Sequence, residues 1–316
     1  MRHFLRGSQR LYREALRWKG LDHPNILPFI GLDTKTFPNS LCMVSPWMEH
    51  GTVLQHLNLY SRANVNKLLF EIAQGIQYLH SRNIVHGDLR GVNILIKRDW
   101  VPCLADFGLS AFTDLAPGTK SYSLGGGLHW MAPELIDPTR FGLKFVRTPA
   151  TDIYAFGCVC FELYTGRPPF FELSEAAALF RVIGGERAQR PDGEPRISDD
   201  LWSAITTYWA EGPTSRPTIE TVLQNPIWPI LVERESIQAS FEPVPLPQRM
   251  SLVRLCGFTY SKETKAPEVS KSATEFVLYE VCVVVRSMLP LTSPLEDLDI
   301  LPPTYMSSQV YEVRSS

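Results

Sequence analysis

The clearest periodic pattern in the chain lies between residues 65 and 79. Apolar residues recur there at steps of three and four, the spacing of one helix face. They are Val65, Leu68, Leu69, Ile72, Ala73, Ile76 and Leu79. This spacing predicts a long amphipathic helix.

Short apolar runs on either side of this helix predict strands. The runs 26–31 and 41–45 are separated by turn-forming residues, which favours an antiparallel pair. The runs 93–96 and 101–105 flank a short polar turn and predict a second hairpin.

Helical patterns dominate the later part of the chain. They cover residues 152–165, 174–183, 198–209 and 218–224, and a further arginine-rich pattern covers 2–20. Beyond about residue 231 no period is sustained and proline-rich pieces appear. We therefore predict a domain over 1–231 and a poorly structured tail over 232–316.

Composition and charge narrow the class of protein. The 316 residues include 44% hydrophobic ones, which excludes disorder throughout the chain. The 31 Lys+Arg and 33 Asp+Glu give a net charge of −2, so we expect no nucleic-acid partner and no anionic membrane partner. Six cysteines without a CxxC pair, and a start without an apolar export signal, indicate a cytoplasmic protein, with a nuclear location left open.

Three motifs follow the predicted long helix in a fixed order. The sequence HGDLRGVN occupies residues 86–93, DFG follows at 106–108, and APE stands at 132–134. A single DFG occurs by chance, but the ordered set resembles the catalytic loop, the metal-binding motif and the end of the activation segment of eukaryotic protein kinases. The resemblance covers about residues 5 to 231.

This resemblance implies a fold, a reaction and two ligands. The fold would be α+β, with two lobes, the larger one mainly helical. The reaction would be transfer of the ATP γ-phosphate to hydroxyl groups of a protein substrate, with ATP and Mg²⁺ as cofactors. Asp88 would orient the hydroxyl and accept its proton, and Asn93 and Asp106 would bind Mg²⁺.

Further positions match the kinase pattern by alignment. Glu14 stands where the family has the glutamate that pairs with the ATP-anchoring lysine. Ser45 matches the gatekeeper, and the backbones of Pro46 and Met48 would hydrogen-bond adenine.

The resemblance also implies two structural contacts in the large lobe. Asp152 resembles the aspartate that ties a central helix to the catalytic loop, and Glu134 and Arg216 resemble a buried ion pair. Trp209 fits a core position better than a site position.

The motifs HGD, WMAPE and YAFG are most similar to the tyrosine-kinase-like group, whose members mostly phosphorylate serine and threonine. Arg90 and Gly127 replace a lysine and a threonine that mark this preference, so tyrosine is not excluded as acceptor. Gly87 replaces the usual arginine, which makes control by activation-segment phosphorylation a weaker expectation.

One part of the kinase pattern is missing from the printed sequence. The thirteen residues before Glu14 contain no lysine and no GxGxxG, so we expect a small lobe whose first strands are absent, as in an N-terminally incomplete kinase domain. Three functions therefore remain open: an active protein kinase, a catalytically inactive, pseudokinase-like binding or scaffold module, or a protein whose proline-rich C-terminal tail acts as an interaction segment. The sequence leaves the oligomeric state open.

Overall fold

In a computed structural model, the described residues are 15–16, 18–33, 42–60, 64–106, 127–192, 196–238 and 281–284. The chain divides into two units. One takes in residues 1–21, 28–47 and 252–316, and the other takes in 22–27 and 48–251. We describe each unit by itself.

The first unit contains a three-stranded antiparallel sheet. Its strands are β1 (Gly31–Asp33), β2 (Cys42–Pro46) and β5 (Val281–Val284), in the order β1-β2-β5. The antiparallel pairing of β1 with β2 confirms that a hairpin is present, but the predicted first strand, 26–31, is wrong, because β1 shares only Gly31 with it. Residues 15, 16, 18 and 19 are helical, within the range predicted for the first helix.

The second unit is built around the predicted long helix. It begins with α1 (Val53–Tyr60), which the sequence pattern missed, and α2 (Val65–Ser81), which it predicted. All seven periodic apolar side chains of α2 are buried. Gly75 is needed on α2 because a Cβ there would lie 2.9 Å from the Asn25 carbonyl oxygen.

The second hairpin pairs β3 (Ile94–Ile96) with β4 (Pro102–Leu104) and confirms the prediction. The Leu27 amide donates to the Leu104 carbonyl, and the Leu104 amide donates to the Asn25 carbonyl, both at 2.9 Å. Residues 26 and 27 therefore extend this hairpin and not the first sheet, because their backbone groups are used here.

Six helices complete the described part of the second unit. They are α3 (Pro133–Ile136), α4 (Pro149–Thr165), α5 (Glu175–Ile183), α6 (Asp199–Tyr208), α7 (Ile219–Leu223) and α8 (Ile227–Gln238). Helix α4 is buried on all sides, as expected for a mainly apolar helix at the centre of a core. Ser174, Ser198 and Thr218 cap α5, α6 and α7 by accepting a backbone N–H.

The helical larger unit and the small sheet together confirm the predicted α+β class. Helix α8 runs across the predicted boundary at residue 231, and β5 lies within the predicted tail. Most of the tail lies outside the described residues, so the division into 1–231 and 232–316 stays a prediction. Among the described residues, no helix is both long and apolar enough to span a membrane.

Candidate active site

The loop at residues 86–93, here called the HGD loop, is anchored by Asp152 of α4. The Asp152 Oδ2 atom accepts from the His86 amide and from the His80 Nε2 atom, each at 2.8 Å. The Oδ1 atom accepts from the Gly87 amide at 2.8 Å. Gly87 has a φ of 77°, a left-handed conformation that glycine adopts without a steric penalty. The predicted tie between Asp152 and the catalytic loop is therefore present.

His86 lies buried beneath the loop as a neutral imidazole. Its Nδ1 atom accepts from the Asp88 amide at 3.3 Å, which requires that nitrogen to be unprotonated. Burial lowers the pKa of His86, although the carboxylates of Asp152, Asp88 and Asp106 act in the opposite direction. His86 thus supports the backbone at Asp88.

Asp88 and Asn93 lie side by side on the loop. The Asn93 Nδ2 atom donates to the Asp88 carbonyl at 2.8 Å and to Asp88 Oδ2 at 2.9 Å. The Arg90 Nε atom lies 3.5 Å from the same Oδ2. Asn93 is buried, whereas the Asp88 side chain is 44% exposed and can meet a ligand from outside.

Asp106 is brought towards this pair by the second hairpin. The Ala105 amide donates to the Asn93 carbonyl at 2.9 Å, and Ile94 pairs with Leu104 just before it. Asp106 has a φ of 56°, an uncommon conformation for a residue with a Cβ, at the end of this strand. Phe107 and Gly108, which complete the DFG motif, lie outside the described residues.

Three of the four residues predicted at the adenine and lysine-pairing positions lie within the described residues. Ser45 is buried and Pro46 ends β2, so Pro46 can offer a carbonyl but no N–H. Met48 lies in a turn closed by the Gly51 amide, which donates to its carbonyl at 3.0 Å. Glu14 lies outside the described residues. The cofactor roles of these residues stay predictions.

The predicted ion pair between Glu134 and Arg216 is present and buried. The two terminal guanidinium nitrogens of Arg216 donate to the two Glu134 oxygens at 2.6 and 2.7 Å. Arg216 also donates to the carbonyls of Ala150, Ala210 and Glu211. Because every charge here is hydrogen-bonded, the pair can fix the APE motif beside α4 at little net cost. Trp209, predicted to be a core residue, is 2% exposed.

Sequence reasoning missed Glu162, a buried carboxyl group beside the HGD loop. Its Oε2 atom accepts from the Gly91 amide and from the Trp130 Nε1 atom, each at 2.9 Å. Burial raises the pKa of Glu162 to about 7, against the two hydrogen bonds and nearby Arg90. The available signal was an acidic residue inside an otherwise apolar helix, because such a group needs partners when buried.

The anchored loop, the second hairpin and the buried ion pair agree with the kinase resemblance of the sequence. The model of the protein tyrosine and serine/threonine kinase family matches residues 4–225. The chain therefore belongs to the protein kinase family. Within this family, the tyrosine-kinase-like group stays a prediction.

Alignments with individual proteins also place the chain among protein kinases. The chain is 31% identical over 221 residues to cell division control protein 7 of Schizosaccharomyces pombe, which covers 69% of this chain and 19% of that protein. It is 31% identical over 211 residues to a probable serine/threonine-protein kinase of Dictyostelium discoideum, and this alignment covers 66% of this chain and 40% of that protein. It is 29% identical over 228 residues to MAP3K epsilon protein kinase 1 of Brassica napus, and this alignment covers 70% of this chain and 16% of that protein. The aligned part of the chain thus spans less than half the length of each of these relatives.

Proposed function

We propose that this protein transfers the γ-phosphate of ATP to serine or threonine hydroxyls of a protein substrate. The observation that carries the proposal is the contact of 2.9 Å between the Asp88 carboxylate and the Asn93 amide on an anchored loop. The naming of one relative as a probable serine/threonine kinase supports this acceptor type. Arg90 and Gly127 keep tyrosine within the range of acceptors.

Asn93 and Asp106 are the residues that would hold Mg²⁺. Amide and carboxylate oxygens are the ligands that this ion prefers. The Asn93 nitrogen donates twice to Asp88, so the oxygen end of the amide, Oδ1, is directed away from Asp88. Bound Mg²⁺ would neutralise charge on the ATP phosphates as the γ-phosphate leaves.

Asp88 is the proposed base of the transfer. Its Oδ2 atom is held by Asn93 and Arg90, while its Oδ1 atom faces Gly127 at the start of the segment 127–130. A hydroxyl bound between this segment and Asp88 could donate to Oδ1, which would direct the hydroxyl oxygen towards the phosphorus and then receive its proton.

Transfer of radiolabelled phosphate from ATP to the chain itself and to a mixed serine, threonine and tyrosine peptide pool tests the proposal. Replacing Asp88 by Asn should reduce incorporation at least about a hundredfold, because the base and its contact with the hydroxyl are both lost. Replacement of the exposed Asp192 by Asn is the matched control and should leave the rate unchanged. Incorporation that is equal in Asp88→Asn and wild type would overturn the proposed role of Asp88.

A second experiment distinguishes an active kinase from a module that only binds nucleotide. Mg-ATP should raise the melting temperature of the wild-type chain, and Asp106→Asn should remove that increase because it removes a charged metal ligand. Stabilisation by Mg-ATP without any phosphate transfer would identify a nucleotide-binding module, and the absence of both would contradict the ATP-dependent function.

We also infer a cytoplasmic location for this activity. Cys103, Cys158 and Cys160 are buried free thiols, and burial raises the pKa of Cys103 to about 12, which keeps its thiol protonated. Free thiols are typical of a reducing compartment. Imaging of a fluorescent fusion in cells tests this location, and secretion of the fusion would contradict it.

A further inference from the structure

Glu162 is the one acidic residue of α4 besides Asp152, and it faces the opposite end of the HGD loop. Asp152 binds the start of this loop at His86 and Gly87, and Glu162 binds Gly91. The two carboxylates of one helix thus hold the backbone on both sides of Asp88. A rigid helix can in this way fix the loop more exactly than contacts within the loop could.

The packing at Gly91 leaves no room for a Cβ unless a neighbouring side chain moves. A Cβ at position 91 would lie 2.8 Å from the Leu54 Cγ atom and 3.0 Å from Glu162 Oε1. Gly91 also begins the 3₁₀ turn Gly91–Asn93, so its position determines where the Asn93 amide lies. Displacement of the backbone at residue 91 is therefore transmitted to Asn93 and, through its hydrogen bonds, to Asp88.

The same Glu162 oxygen also binds a second segment. Trp130 ends the 3₁₀ turn Leu128–Trp130, and its amide donates to the Gly127 carbonyl at 3.3 Å. Gly127 lies directly beside Asp88, since a Cβ there would be 3.3 Å from Asp88 Oδ1. Glu162 thus connects the loop that carries Asp88 with the segment that approaches Asp88 from the other side.

We propose that Glu162 is a positioning residue for phosphoryl transfer, which sets the distance between the HGD loop and the segment 127–130 by binding both through one carboxylate oxygen. The inference rests on the proposed kinase function. Glu162 acts through Gly91 and Trp130 and touches no reacting atom. It fixes the space beside Asp88 in which a hydroxyl would be bound, and small displacements of reacting groups are costly for the rate.

Two variants separate the hydrogen bonds of Glu162 from its volume. Glu162→Met keeps a similar volume but offers no oxygen, so the Gly91 amide and the Trp130 indole lose their acceptor. This variant should lower kcat for peptide phosphorylation at least about tenfold and change the KM for ATP less than twofold. Glu162→Gln keeps an oxygen at this position and should recover most of the lost rate. Trp130→Phe removes one of the two donors and should give an intermediate kcat.

A spectroscopic measurement follows the same contact without catalysis. In protein labelled with 5-fluorotryptophan, the Trp130 signal is assigned by its loss in Trp130→Phe. It should shift with pH near 7 in the wild type and stay constant in Glu162→Gln, because Glu162 is the titrating group that accepts from this indole. Arg90 and Cys158 also interact electrostatically with Glu162, and the His129 ring lies 6.1 Å from the Trp130 ring. All three groups are present in both proteins, so the difference between the two pH profiles reports Glu162.

The outcomes distinguish the two proposals. A wild-type kcat in folded Glu162→Met or Trp130→Phe protein would overturn the positioning role. So would a Trp130 fluorine signal whose pH dependence is the same in the wild type and in Glu162→Gln. Absence of any phosphate transfer by the wild type would overturn the kinase function, while the fluorine signal would still decide whether Glu162 holds Trp130. Should Glu162→Met fail to fold, Trp130→Phe and the fluorine titration carry the test.

Discussion

Single residues in this protein are fixed by close contacts with groups that are distant in sequence. Gly91 is the strongest case, because a Cβ at this position would lie 2.8 Å from Leu54 Cγ and 3.0 Å from Glu162 Oε1. Glycine at this position could not be predicted from the sequence, since neither contact is local. Gly87, two residues before Leu89, is a different case, because its positive φ favours glycine whatever surrounds it.

Gly91→Ala should destabilise the protein by about 1–3 kcal/mol, because the added methyl group overpacks a contact with no spare room. The midpoint of urea unfolding measures the change. Gly212→Ala is the matched control, since a Cβ at 212 meets only the Ser215 Oγ atom at an ordinary 3.4 Å. Equal midpoints for the two variants would contradict the close packing at Gly91.

Arg216→Met should cost about 3–5 kcal/mol in the free energy of unfolding, because it leaves the Glu134 carboxylate buried without its partner. Arg181→Met removes an ion pair with Glu186 whose side chains are both about half exposed. That control should cost less than about 1 kcal/mol, since solvent screens exposed pairs. Thermal or chemical unfolding of both variants gives the comparison, and similar losses would contradict the buried position of the Glu134 pair.

Secondary-structure elements were predicted best where periodicity and burial agree. Helix α2 ends within two residues of its predicted limit because seven periodic side chains define one buried face. Helix α1 was missed, since its eight residues include polar positions such as His56 that are buried only through tertiary packing. Strand β5 was missed because a four-residue strand depends on the partner beside it, here β2.

The register of β1 on β2 predicts a specific cross-link. Leu32 is the direct Cα partner of Met43, and directly opposite residues in antiparallel strands lie about 4.5–5.5 Å apart. This separation lies within the range of disulfides, so the double variant Leu32→Cys, Met43→Cys should form a disulfide under mild oxidation. Mass spectrometry of the unreduced, digested protein detects the linked peptides.

The double variant Leu32→Cys, Val44→Cys is the control for this cross-link. Val44 is paired with Gly31, and neighbouring residues of a strand point to opposite faces of the sheet. The control should therefore leave positions 32 and 44 unlinked. Thiols that stay free at positions 32 and 43, or a link of equal yield between 32 and 44, would show a different register.

At the scale of the whole molecule, pH should change stability through buried histidines. His56 packs with His50, Tyr60 and Trp100, with the His56 and Tyr60 rings 5.2 Å apart. Burial lowers the pKa of His56 to about 4, with a further contribution from His50. The unfolded chain therefore binds more protons than the folded one between about pH 6.5 and 4, so stability is lost as the pH falls through this window.

Replacing His56 by Phe keeps an aromatic ring and removes the titration. Between pH 7 and pH 5 the wild type should lose on the order of 2 kcal/mol more stability than His56→Phe. The comparison isolates His56, since burial also lowers the pKa of His23 and His86, and both proteins share that effect. Parallel pH profiles for the two proteins would contradict the burial of His56.

The class of the molecule, the order of its motifs and the helices with a strong periodic face could all be predicted from the sequence. These properties are local, because they depend on spacing along the chain and on the chemistry of single residue types. Only the folded chain shows that Asp152 and Glu162 hold the two ends of the HGD loop and that Gly127 lies beside Asp88. The bonds from Asp152 to Gly87 and from Glu162 to Gly91 join residues 65 and 71 positions apart. Packing alone creates such contacts, because hydrogen bonds become decisive only where burial has removed water from the groups that form them.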